Sequence, residues 1–354
     1  MKHIIFAGCS FSDDGRFCDD FDHSEYHKEM SLKDLRFPST IKMHQLLAFD
    51  IETQKIGGIK IHTIARGSFG NHVIFDKLKE KISEIKKSEH NSEIYAIVQL
   101  SAFARKGFQN TCHWLDTSKY EYDYPDLDLN FGSYEDLKIF YNRHLDNIID
   151  ISKYLSENNI KPFIFFGWAN IFTDDILNFE LDEKIKEVKN VVNFYNYNES
   201  LDELSNYCAG KKFYKEEILK DGEFKKAYRI EQDLYGGLIE YGRDNLKMGE
   251  RYHLIFDPHP SSKTYFTYYK NILKKWLVDS NILHENINFH ENYIKLINDA
   301  FDFENTRFLS TLSLTNQDYV KIDMLSFRII SNGLHIYRDY LQREFNRLKF
   351  NGLI

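Results

Sequence analysis

Apolar positions along this chain follow two periods, and the change between them marks the elements. Ile4–Ala7 is a continuous apolar run closing in Gly8-Cys9-Ser10, the pattern of a buried strand that opens into a tight turn. Ile59–Ile64 predicts a second strand and Ile94–Leu100 a third, the latter apolar throughout as in a parallel strand covered on both faces. Pro162–Gly167 predicts a fourth, and a further strand is expected near Val188–Tyr195. Between the runs the period lengthens. Ile74, Leu78, Ile82 and Ile85 lie at helical spacing, with Asn71 expected to cap that helix. Leu137, Phe140, Tyr141, Leu145, Ile148 and Leu155 form a second stripe; Phe266, Tyr269, Leu273, Trp276 and Leu277 form a third.

Strand and helix in alternation predict an α/β fold: a three-layer, doubly wound parallel sheet with right-handed crossovers. The chain divides on this reading into an α/β domain over 1–283 and a C-terminal helical extension over 284–354. Polar segments near 11–45 and 103–132 read as insertions, the first ending in a short helix near Ile41–Leu47. Tyr293, Ile297 and Phe301, then Ile330, Leu334, Tyr337, Leu341 and Phe345, keep helical spacing in the extension, which is the candidate surface for a homo-oligomer.

Charge and composition narrow the function classes. A formal net charge of −8, with no Lys/Arg block, argues against a nucleic-acid partner, since phosphate-backbone binding needs clustered cations. The four cysteines, Cys9, Cys18, Cys112 and Cys208, have no paired spacing for a zinc site or disulfide framework. No apolar window approaches the ~18 residues of a membrane span, and the N-terminal run is too short for a signal peptide. A cytoplasmic location is therefore expected, with neither metal nor cofactor.

Three segments carry candidate chemistry, each where a doubly wound sheet places ligands, beyond the carboxyl ends of its strands. They are Gly8-Cys9-Ser10, Arg66-Gly67-Ser68-Phe69-Gly70-Asn71, and Asp257-Pro258-His259-Pro260-Ser261. A serine directly after the first strand presents a hydroxyl at the sheet edge, and its own N–H faces a reacting carbonyl oxygen. A glycine after the second strand lets another N–H approach the same oxygen. A histidine close to a carboxylate is a base with fixed tautomer and direction, and the flanking Pro258 and Pro260 restrict its backbone.

In this order the segments resemble the SGNH (GDSL-like) hydrolase family of serine esterases and acyltransferases, over roughly residues 1–280. The resemblance implies a flavodoxin-like sheet, Ser10 as nucleophile, His259 as general base and Asp257 as its orienting acid. It implies an oxyanion hole built from the Ser10 and Gly67 N–H groups, and no cofactor. Three departures stand out. Cys9 occupies a position where the family commonly has Asp, Pro258 alone separates acid from base, and the strand ending Gln99-Leu100-Ser101 lacks the Asn that commonly completes the oxyanion hole. Asn71 is the leading substitute, with Ser101 and Asn170 as rivals. The family's chemistry implies a small-molecule or glycan ester, such as an O-acetylated carbohydrate, as substrate. Three functions stay open: a serine esterase, a glycan O-acetyltransferase with the same nucleophile, and a non-catalytic binding or structural protein on the hydrolase fold.

Overall fold

The computed structural model describes residues 1–9, 12, 27–30, 40–65, 69–101, 134–167, 182–196, 235–246, 250, 260–284 and 288–312. Its centre is a sheet of five strands, β1 (Lys2–Gly8), β2 (His27–Met30), β3 (Ile59–Ala65), β4 (Glu93–Leu100) and β5 (Lys161–Phe166), in the order β2-β3-β1-β4-β5. The four strands β3, β1, β4 and β5 run parallel; β2 pairs antiparallel with β3 at the edge. The fold is α/β, as the alternating periods predict.

β1, β4 and β5 are largely apolar along their length because helices cover both faces, whereas β3, next to the edge strand, interrupts its apolar residues with Lys60, His62 and Thr63. On one face Phe6 meets His44 of α1 (Met43–Thr53). The same face carries Phe163 and Phe165, which pack on Trp276 and Tyr268 of one long helix. That helix consists of α6 (Ser262–Tyr268), a π turn (Tyr269–Leu273) and α7 (Lys274–Asp279). The other face is covered by α2 (Asn71–Ser88), α3 (Tyr134–Glu157) and α4 (Asp182–Val191). A small hairpin-like pair, β6 (Tyr195–Asn196) and β7 (Tyr235–Gly236), precedes α5 (Leu238–Asn245). Finally α8 (Glu291–Leu312) packs on α6, and the Tyr293 ring stacks on Phe49 at 4.4 Å between centroids. Phe289, Tyr293, Leu296 and Ile297, assigned from sequence to the extension, thus belong to the same buried cluster as the sheet.

Three local readings change. The segment Val188–Tyr195, expected as a strand, is helix in its first half: α4 runs to Val191, after which Val192 bridges parallel to Ile164 and Tyr195 opens β6. Ile185 and Val188 explain the substitution, since they sit one helical turn apart and both are buried. The helix expected near Ile41–Leu47 extends to Thr53, and the segment 11–45 contributes an edge strand, β2, as well. Asn71 does not cap α2. Gly70 is the N-cap residue with no side-chain cap bond, while the Asn71 carboxamide is engaged elsewhere.

Candidate functional site

The strand order fixes where a site belongs. From β1 the chain moves through α1 to β3 on one side, and from β3 through α2 to β4 on the other. Opposite departures leave a crevice at the carboxyl ends of β1 and β4, the topological switch point where open α/β sheets bind ligands. Because β3 is parallel to β1, α1 must run back along the sheet, so its first residues also lie at the carboxyl edge. α2 begins there directly after β3, and α5 begins there too, since the Ile239 N–H donates to the Gly167 carbonyl beyond β5. Backbone approach at that point is so close that a Cβ on Gly237 would lie 1.8 Å from the Phe166 carbonyl oxygen. α6 joins them: Ser262 Oγ accepts the Ile41 N–H at 2.8 Å, just ahead of α1. Four helix N-termini therefore direct their partial positive charge to one edge of the sheet.

At the switch point itself, Gln99 organises the turn after β1. Its Oε1 accepts the Cys9 N–H at 3.2 Å and the Ser12 hydroxyl at 3.3 Å, and its Nε2 donates to the Leu100 carbonyl at 2.8 Å. The Ser12 N–H in turn donates to the Cys9 carbonyl at 2.9 Å. Gly8 is required for this packing: a Cβ there would stand 2.7 Å from Ser12 Oγ and 2.8 Å from Gln99 Oε1. The residues on both sides of Ser10 are thus tied to β4. Cys9 is fully buried and its Sγ accepts from Gln99 Nε2 at 3.3 Å, which makes it a packing residue of the turn.

Beside it, Asn71 and Ser101 form a reciprocal pair. Asn71 Oδ1 accepts the Ser101 N–H at 2.7 Å and Asn71 Nδ2 donates to the Ser101 carbonyl at 3.0 Å, both residues being buried. The Ser101 hydroxyl is buried with no hydrogen-bond partner among the described residues. Such a group is costly unless something else uses it.

Of the five residues singled out for chemistry, Asn71 lies among the described residues; Ser10, Gly67, Asp257 and His259 lie outside them, as does Asn170. Their immediate neighbours are described. Gly8, Cys9 and Ser12 bracket Ser10, and Ala65 and Phe69 bracket Gly67, with Ala65 level with Gly8 in the β1–β3 register. Pro260 and Ser261 follow His259, and Ser261 caps α6 by accepting the Thr264 N–H at 3.2 Å. The neighbours of Ser10, Gly67 and His259 stand at the same edge of the sheet.

Sequence reasoning missed two features near this edge of the sheet. Gln99 was legible as the single amide in the apolar run IYAIVQL. The π turn also left a trace: Tyr265, Tyr269, Leu273 and Leu277 are all fully buried at a repeated spacing of four, a stripe that would drift around a regular α-helix.

Among the described residues no group of three metal-ligating side chains is present, and no helix is long and apolar enough to cross a membrane. Comparison with family models, with curated proteins and with solved structures finds no match.

Proposed function

We propose that this chain is a serine esterase of SGNH type on a flavodoxin-like sheet, with Ser10 as nucleophile, His259 as general base and Asp257 as the group that orients it. The observation that carries the reading is the Gln99 carboxamide, which holds Cys9 and Ser12 on either side of Ser10 at the switch point. A nucleophile needs a turn held rigidly against its sheet, because a reacting atom displaced by an ångström loses much of its rate. The Ser262–Ile41 bond supports the same reading from the other side, since it anchors the segment that follows His259 to that edge.

In the mechanism, His259 takes the proton from the Ser10 hydroxyl as the oxygen attacks an ester carbonyl. The Ser10 and Gly67 N–H groups stabilise the oxyanion. The Ser101 hydroxyl is the better third donor than Asn71, whose carboxamide is committed to the Ser101 main chain. The aligned helix N-termini favour the same developing negative charge. The tetrahedral intermediate collapses with loss of the alcohol, protonated by His259. Water, activated by the same imidazole, then releases the acid from the acyl-enzyme. An O-acetylated carbohydrate is the substrate class. A sugar hydroxyl in place of water turns the same site into an O-acetyltransferase.

A fluorophosphonate probe tests the reading, because it labels only an activated serine. Wild-type protein is expected to be labelled at Ser10, Ser10→Ala not at all and His259→Ala far more slowly. Equal labelling of wild type and Ser10→Ala overturns it.

A further inference from the structure

The helix that follows the histidine segment is irregular, and the irregularity has a partner. Tyr269–Leu273 is a π turn in which the Lys274 N–H donates to the Tyr269 carbonyl five residues back. In an α-helix, residues five apart point roughly 140° away from each other. A turn closed by i→i+5 bonds brings them back to one side. Tyr269 and Lys274 do share a side, and both reach the same carboxylate. Tyr269 Oη donates to Asp50 Oδ2 at 2.8 Å and Lys274 Nζ donates to Asp50 Oδ1 at 2.9 Å.

Asp50 sits on α1 with no solvent exposure. It closes a seam along which α1 and the α6–α7 helix run side by side. At the carboxyl edge of the sheet Ser262 Oγ accepts the Ile41 N–H, and one level deeper Lys42 Nζ donates to Tyr265 Oη at 3.2 Å. The carboxylate grip is the deepest of the three. A buried ion pair is a poor way to gain stability, since apolar side chains of the same volume commonly do as well or better. It specifies geometry instead: only a helix carrying the inserted residue presents both donors to one carboxylate.

We propose that Asp50 is a positioning residue for His259. By gripping Tyr269 and Lys274 across the π turn it fixes the rotation of α6, and so the placement of Pro260 and Ser261, the described residues that directly follow His259. The inserted residue turns everything on its N-terminal side by about 100° relative to α7. α7 is fixed independently by Trp276, which packs on Tyr95 and Phe163, and by the buried Leu277. Relaxing the π turn into α-helix would rotate Ser261 and Ser262 away from Ile41. The proposal rests on the esterase reading for its catalytic arm but not for its structural one.

The test uses Asp50→Ala, Tyr269→Phe and the double variant Asp50→Asn/Lys274→Met in the full chain. For Asp50→Ala, kcat on 4-nitrophenyl acetate and the rate of fluorophosphonate labelling are expected to fall by ~10-fold or more, with KM changed less than about two-fold. Amide hydrogen exchange should rise over 261–268 while β4 stays protected. The double variant removes both charges and keeps an oxygen to accept the Tyr269 hydroxyl, so it should recover most of kcat. Tyr269→Phe, which loses one hydroxyl, gives the smaller loss and keeps the question decidable if Asp50→Ala does not fold. Wild-type kcat with unchanged exchange over 261–268, in Asp50→Ala or in Tyr269→Phe, overturns the proposal. If wild-type protein is not labelled at Ser10, the esterase reading fails, and the exchange measurement alone decides whether Asp50 holds this segment.

Discussion

Asn71 holds the main chain of Ser101 with both ends of its carboxamide, accepting the N–H at 2.7 Å and donating to the carbonyl at 3.0 Å. A side chain here does what a neighbouring strand does in a sheet, exchanging two bonds with one residue. It joins the first residue of α2 to the first residue beyond β4, and so spans the crevice mouth from the β3 side to the β4 side.

Asn71→Asp is expected to destabilise the protein. The carboxylate keeps an acceptor for the Ser101 N–H but places a second, negatively charged oxygen against the Ser101 carbonyl in a buried position. Losing the donor and facing two acceptors costs about 1–3 kcal/mol. The urea midpoint should fall without a change in m. A helix-capping Asn71 would instead make this change nearly neutral, so an unaltered midpoint restores the capping role.

Gly8→Ala should disturb the turn after β1 selectively. The added methyl would meet Ser12 Oγ at 2.7 Å and Gln99 Oε1 at 2.8 Å, so the carboxamide must leave Cys9 and Ser12. We expect a stability loss of about 1–3 kcal/mol, typical of overpacking, and a larger fractional loss of fluorophosphonate labelling at Ser10. Gln99→Leu, which removes the acceptor outright, should reproduce the labelling defect. Full labelling in both variants would detach Gln99 from the nucleophile turn.

These two pairs also show what a sequence can and cannot carry. The sheet was legible because Ile4–Ala7, Ile94–Leu100 and Pro162–Phe166 must be apolar on both faces once helices cover both, and nothing but a strand presents such short runs. Helix α4 was misread because Val188, Val191 and Val192 are β-branched and short-range pattern favours a strand, whereas tertiary burial of Ile185 and Val188 favours a helix. The partners of Gln99 and Asn71 were illegible for another reason. Each bond joins residues 30 or more positions apart, and which polar side chain turns toward which loop depends on register that only the assembled sheet fixes. Asp50 shows the same limit: it lies beyond the short helix expected near Ile41–Leu47, and only its bonds to Tyr269 and Lys274 across the π turn show why it is buried.

At the opposite, amino end of the sheet, Glu89 should govern acid stability. The Lys60 ammonium at 2.9 Å and the His3 imidazole at 3.1 Å hold its carboxyl down to about 2, from 4.5. A lowered carboxyl pKa means the unfolded chain binds the proton first as the medium is acidified. The contribution is therefore fully present above about 4.5 and is lost as pH falls toward about 2. Because Glu89 is partly exposed, the effect is expected to shrink in added salt. Glu89→Gln should show a shallower loss of stability across that window in chemical denaturation. A curve parallel to wild type would show that the interaction is not retained in solution.

A second pH dependence should appear at milder acidity, from the opposite kind of group. His72 on α2 and His144 on α3 are both buried, and burial lowers His72 to about 4 and His144 to about 3, the His72 charge adding to the effect on His144. Both imidazoles are neutral at pH 7 in the folded protein. In the unfolded chain they take a proton near the ordinary value of 6.5. Between 6.5 and about 4 for His72, and about 3 for His144, the unfolded state therefore binds protons that the folded state refuses, and stability falls as pH falls. Each group contributes a slope of up to ~1.4 kcal/mol per pH unit, fully developed only below its unfolded pKa. The sign agrees with that of Glu89 but the window opens higher, so the limb of a stability titration above about 4.5 reads the histidines and not Glu89. His144→Leu removes one charge-refusing group from the α2–α3 interface and should flatten the curve between pH 6 and about 4.5, above the window in which Glu89 acts. Wild-type stability that stays level from pH 7 to about 4.5 would mean that water reaches this pair in solution, and that α2 and α3 open there before the protein unfolds.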